Sequence, residues 1–131
     1  MSTRSGYAQA DREAPDPTNP AHYKSHPSGL ECISLTESMG FCLGNAVKYL
    51  WRFRDKNGAE DLKKALWYAR RADSLPYPNE PARNPSLDKW RRWYGLNGSE
   101  RPESLAINYL LVGLPLSAAQ VIEEMIAVVA K

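Results

Sequence analysis

The clearest pattern in the chain runs from about residue 59 to 74, where Leu62, Ala65, Leu66, Ala69 and Ala72 recur at helical spacing with charged positions between them. That spacing predicts an amphipathic helix with one buried stripe. Ahead of it a helix is expected to begin near Asn45, with Val47 and Leu50 on its apolar side and Trp51 flanking them. Asp55-Lys56-Asn57-Gly58 reads as the short turn between the two, so the pair should pack antiparallel. Upstream, Leu30 to Met39 reads as a short helix carrying Cys32, Ile33, Leu35 and Met39, with Gly40 as its stop.

Downstream, Pro76, Pro78, Pro81 and Pro85 forbid a continuous helix and predict a stiff, extended connection. Helices are expected again at about 86–94, 102–112 and 117–130, the last with a broad apolar face of Ala118, Val121, Ile122, Met125, Ile126 and Val129. No credible strand pair is present. The expected fold is therefore all-α, a small multi-helix domain with a disordered N-terminal lead-in over 1–18, where Ser, Arg, Gln, Asp and Pro mix without a period. A helical nucleotide- or anion-binding segment would span 19–74 and a Pro-rich connection 75–85. The C-terminal helices over 86–131 would complete the core or an oligomer interface.

The polar positions of the two central helices fall into stripes of their own. With Asn45 taken as zero, Arg52 lies about 20° away, Lys48 about 60° on the same side and Tyr49 about 40° on the other. On the next helix Asp61, Lys64, Tyr68 and Arg71 follow one another at spacings of three, four and three, a line up one side. Arg52 offers a planar fork of donors, Lys48 and Lys64 add point charges, and an Asn45 at a helix start would sit beside backbone N–H groups that favour anions. Such a face suits a phosphate, with Tyr49, Trp67 or Tyr68 placed to stack a base or ribose. The competing reading is a solvated helix surface whose tyrosines serve packing.

Charge distribution sharpens this picture. The 131 residues carry a formal charge of only +2, with 43% hydrophobic and 24% charged residues, ordinary for one folded domain with a modest core. Residues 19–71 hold nine Lys and Arg against five Asp and Glu, a net +4, whereas 1–18 and 72–131 are each −1. That excess is small beside a dedicated DNA-binding domain, so a single small anion is the expected partner and nucleic acid is not. Cys32 and Cys42 lack the Cys/His spacing of a zinc site and read as reduced, partly buried thiols, with no metal site expected. With no apolar run long enough for a membrane span and no signal-peptide core, the cytoplasm is the expected setting.

A second cluster, Trp90-Arg91-Arg92-Trp93-Tyr94, alternates aromatics with arginines. It either stacks nucleic-acid bases or pins the Pro-rich connection to the core, and packing is favoured because Trp90 and Trp93 share a helical face.

Asn19-Pro20-x-His22-Tyr23, then Gly29, Glu31 and Ile33, then Gly44-Asn45-x-x-Lys48-Tyr49-x-x-Arg52, Lys56 and Asp61-Leu62-Lys63-Lys64-Ala65-x-x-Tyr68 occur in this order at set separations. On these residues the chain resembles a small phage-encoded family of unknown function, often described as nucleotide-kinase-like. It is similar there to the C-terminal part of a podophage nucleoside monophosphate kinase that lacks a P-loop. The resemblance implies a phage protein of the host cell cytoplasm that binds or acts on nucleotides, with His22 and Tyr23 joining Asn45, Lys48, Tyr49, Arg52, Lys64 and Tyr68 around the ligand. A kinase would need ATP and Mg²⁺. Glu31 and Asp61 are then the candidate acids for holding the metal or orienting the acceptor, although Glu31 fits a solvated salt bridge equally well. No Gly-x-x-x-x-Gly-Lys-Ser/Thr loop is present. A non-catalytic sponge for a nucleotide-derived host defence signal, and a protein- or nucleic-acid-interaction module, are the alternative expectations. Self-association into a homo-oligomer is compatible with all three.

Overall fold

Apolar positions recurring every three or four residues make helices throughout the computed structural model, which describes residues 26–98 and 101–129. Among the described residues six helices and no strand occur: α1 (Cys32–Thr36), α2 (Phe41–Arg52), α3 (Ala59–Ser74), α4 (Ser86–Asn97), α5 (Pro102–Leu111) and α6 (Pro115–Val129). The all-α expectation holds. The expected lead-in over 1–18, together with His22 and Tyr23, lies outside the described residues.

Helices α2, α3, α6 and α5 contact one another in that cyclic order and close a ring around one core. Leu43, Val47 and Leu50 of α2 meet Leu62 and Ala65 of α3, Ile107 and Leu110 of α5, and Ile122 of α6, all shielded from solvent. Each such Leu, Ile or Val gains about 1.5–3 kcal/mol from leaving water. The small residues Ala65, Ala69 and Ala72 on the inner stripe of α3 let its backbone approach both neighbours. α3 also carries Glu60 and Asp61 in its first turn and Arg71 in its last, the arrangement its dipole favours.

Helix ends follow local chemistry. Gly113, at φ 83°, ends α5: its own N–H bonds to Leu110 at 3.1 Å and that of Leu114 to Tyr109 at 2.9 Å, the paired bonds of a Schellman motif. Pro102 and Pro115 occupy helix starts, where a missing N–H costs nothing. Gly58, at φ 51° and ψ −123°, makes the turn from α2 into α3 in a conformation closed to other residues.

The stretch 75–85 is free of helix, as its prolines predict, and hydrogen bonds staple it to the body. The Ala82 N–H reaches Leu111 O, Glu80 O accepts from the Gly40 N–H, and Asn84 donates to Ser34 O. Trp90 of α4 is fully buried and donates through Nε1 to Asn108 Oδ1 at 3.1 Å, while Arg91 and Arg92 stay exposed. The Trp90 to Tyr94 cluster thus packs as expected.

Two expectations fail at the start of the ring. The helix expected over 30–39 shrinks to Cys32–Thr36, and Gly40 does not stop it: extended at φ −62° and ψ 159°, Gly40 is the N-cap of α2. Consequently α2 starts at Phe41, four residues before Asn45. Asn45 is therefore in the second turn, where its Nδ2 donates back to Phe41 O at 2.9 Å, and it cannot lend its amide to a helix terminus.

Candidate functional site

The two polar stripes converge at Tyr49. From α2, Lys48 Nζ lies 4.7 Å and Arg52 Cζ 5.0 Å from the centre of the Tyr49 ring, and from α3 Lys64 Nζ lies 5.5 Å from it. Tyr68 of α3 stacks on the same ring at 5.9 Å and 12°. One turn of α2 and one of α3 thereby bring three cations around a pair of tyrosines. Each cation gains about 0.5–1 kcal/mol from the ring's electron-rich face at a site open to water, yet the three repel one another. Lys48 and Lys64 make no ion pair among the described residues.

Arg52 is different. Its Nε and Nη2 grip the two oxygens of Asp61 at 3.2 and 3.3 Å, and Asp61 also accepts the Asn57 N–H at 3.2 Å. Asp61 is wholly buried, so it does not stand in the exposed polar line expected for α3. The reason is geometric: a first-turn residue of α3 faces the last turn of α2 across the 53–58 turn, and the Arg52 fork neutralises the carboxylate held there. This pair fixes the angle between the helices and sets Arg52 beneath Tyr49. The Asp61 carboxylate thus bonds to Arg52 and to the turn.

Beside the cations, α1 and α2 enclose a groove of about 420 Å³ whose walls include Glu31, Ile33, Thr36, Asn45 and Lys48. Of the residues expected to bind ligand, Asn45 and Lys48 line this groove, with Glu31 opposite as a carboxylate. Tyr49, Arg52, Lys64 and Tyr68 form the adjoining cation and tyrosine cluster. Cys32 also faces the groove, but burial pushes its thiol up to about 12, so it remains protonated and is no nucleophile at neutral pH. Both cysteines are free, as expected.

Two features escaped sequence reasoning. His26 stacks on Trp51 at 4.1 Å, with Trp93 edge-on at 5.0 Å and Trp90 at 5.9 Å. Its Nδ1 faces Ser28 Oγ at 2.8 Å and accepts the Ser28 N–H, while Nε2 is buried and has no hydrogen-bond partner among the described residues. Burial, then the nearby Arg101 charge, lowers its pKa from 6.5 to about 4 in spite of Glu103, so the ring is neutral at pH 7. The second is buried Glu103, which accepts from Arg54 Nε and Nη2 at 2.5 and 3.0 Å and pairs with Arg101 at 3.6 Å. Trp51, Trp90 and Trp93 lie far from His26 in sequence, as Arg54 does from Glu103, and no local spacing signals these pairings.

Comparison with known proteins gives one result for the segment that builds this face. No curated protein and no solved structure matches the chain. A family model described as a protein of unknown function (DUF3310) matches residues 17–70, about two-fifths of the chain, enclosing α1, α2 and most of α3. The chain is similar to that family of unknown function over these residues, which include Asn19 to Tyr68; neither phage origin nor nucleotide chemistry follows from the match.

Proposed function

We propose that the α2–α3 face and the adjoining α1–α2 groove bind a nucleotide or another phosphorylated small molecule. The observation that carries this reading is the gathering of Lys48, Arg52 and Lys64 within 4.7–5.5 Å of one tyrosine ring, with the two ammonium groups unpaired among the described residues. An anion placed there relieves their mutual repulsion and forms charge-assisted hydrogen bonds. Asn45 and Glu31 on the groove walls supply a donor and an acceptor for the polar edges of a base or sugar, and the stacked tyrosines offer a flat apolar face.

Binding without chemistry is better supported than phosphoryl transfer. Of the two acids a nucleoside monophosphate kinase could use, Asp61 is buried against Arg52, which leaves Glu31 alone at the groove. The phage setting, the host cytoplasm and the sequestering of a nucleotide-derived defence signal follow only from the family resemblance and belong to this proposal.

The test is titration of the purified protein with nucleoside monophosphates and triphosphates by calorimetry, followed by incubation with a monophosphate, ATP and Mg²⁺. Saturable binding with the ligand recovered unchanged is the expected result. Formation of diphosphate would establish a kinase instead, and no binding of any nucleotide would end the reading.

A further inference from the structure

The face does not stop at the first groove. Phe41 and Gly40, at the start of α2, form a wall shared by that groove and a second one of about 440 Å³, which continues past Tyr68 to Trp67, Arg71 and Tyr77. Trp67 and Arg71 are shared in turn with a third recess of about 500 Å³, whose rim includes Lys63. Three concavities of similar size therefore lie in sequence along α2 and α3.

Their borders are aromatic rings turned toward water. Phe41 is 75%, Tyr77 62% and Trp67 59% exposed, unusual for side chains that gain so much from burial. The rings are also spaced into a row: Phe41 meets Tyr68 edge-on at 6.1 Å, and Trp67 meets it at 5.0 Å. Pro76 and Pro78 flank Tyr77 and stiffen the backbone that presents it. Cations accompany the row: Lys48 lines the first groove, Arg71 the second and third, Lys63 the third, and Lys64 stands beside Tyr49. Among the described residues each of the first two grooves has one carboxylate, Glu31 and Glu80 respectively.

We infer that the ligand is a short single-stranded oligonucleotide, its phosphates running along the α3 cations while successive bases stack at Tyr49–Tyr68, Phe41 and Trp67–Tyr77. The inference rests on the nucleotide reading above and extends it from one nucleotide to several. Positive charge interleaved with aromatic faces is the chemistry by which single strands are held without base readout. Complementarity of charge decides against an apolar peptide, and the small total charge decides against a duplex, whose backbone needs a longer cationic track.

The experiment is calorimetric titration of the full chain with dT4 against TMP, and dA4 against AMP, at one fixed salt concentration. Each tetramer is expected to bind at least about tenfold more tightly than its monomer, since each added stacked base contributes roughly 5- to 150-fold. Trp67→Ala and Tyr77→Ala should each weaken tetramer binding by a factor in that range, and Tyr77→Ala should leave monomer affinity within about twofold. Both side chains are exposed, so helical circular dichroism and melting should match the wild type. If monomers bind and tetramers bind no tighter, the extended track is wrong and the nucleotide site stands. If tetramers bind tightly but neither substitution matters, the track is misplaced and the inference fails. If nothing binds, both readings fall.

Discussion

Replacing Arg52 tests whether the cation at the centre of the face is also the brace of the fold. Arg52→Ala leaves the Asp61 carboxylate wholly buried, with only the Asn57 N–H for company, because both guanidinium bonds at 3.2 and 3.3 Å disappear. Orphaning one member of a buried ion pair costs about 3–5 kcal/mol, a large share of the ~5–15 kcal/mol that keeps a domain of this kind folded. Removing both members has a different sign of logic. In Arg52→Met with Asp61→Leu neither ion is taken out of water, and the Asn57 bond and the Arg52 contact with the Tyr49 ring are among the losses, so the double variant should lie within about 2 kcal/mol of the wild type and above the single one. Urea unfolding followed by circular dichroism gives both values, provided the slope m stays constant. An Arg52→Ala stability within about 0.5 kcal/mol of the wild type, or a double variant that loses the sum of its two singles, would refute the bracing role. The same result bears on function, for weakened ligand binding by Arg52→Ala mixes a lost contact with a loosened helix pair.

Lys48 and Lys64 have no such structural duty, so Lys48→Ala and Lys64→Ala should each weaken nucleotide binding by about 1–3 kcal/mol in calorimetry with melting unchanged. Arg91→Ala, on the exposed side of α4, should have little effect, and equal affinities for all three would contradict the placement. Stability should depend on pH through His26. Its folded pKa of about 4 lies below the 6.5 of an unfolded histidine, so the unfolded chain takes up the proton first. This contribution is complete above pH 6.5 and is lost as pH falls toward 4; its ceiling is about 3 kcal/mol, nearer half that once solvent screening of the partly open ring is counted. The stability of the wild type relative to His26→Leu should thus fall as the pH is lowered across that window, read from urea midpoints, and parallel curves would exclude the effect. Gly58→Ala should cost about 1–3 kcal/mol in the same assay from backbone strain alone, since nothing lies within 4 Å of the added methyl. A neutral result would show that the turn relaxes.

Much of this protein could be read from single stretches of its sequence, wherever one helix decides the matter by itself. The span of α3, Ala59–Ser74, follows from the recurrence of Leu62, Ala65, Ala69 and Ala72; the non-helical 75–85 follows from four prolines; and the inward turn of Trp90 follows from its place beside exposed arginines. These are local effects of backbone period and missing N–H groups. The start of α2 was misread because Gly40 has two possible uses at a helix boundary, and the Glu80 carbonyl that accepts its N–H belongs to a segment forty residues away. Asp61 was misread for a related reason: periodicity gives its angle on α3, but only the packing of α2 against α3 decides that this angle faces Arg52 and not water. The neutral His26 among three tryptophans and the row of exposed rings from Phe41 to Tyr77 likewise join side chains from separate elements. Sequence alone determined the helices and which residues each could offer, since those depend on neighbours a few positions apart. Which charges are buried, which stay exposed, and where grooves open was decided by tertiary structure, because desolvation and long-range pairing exist only once the helices have met.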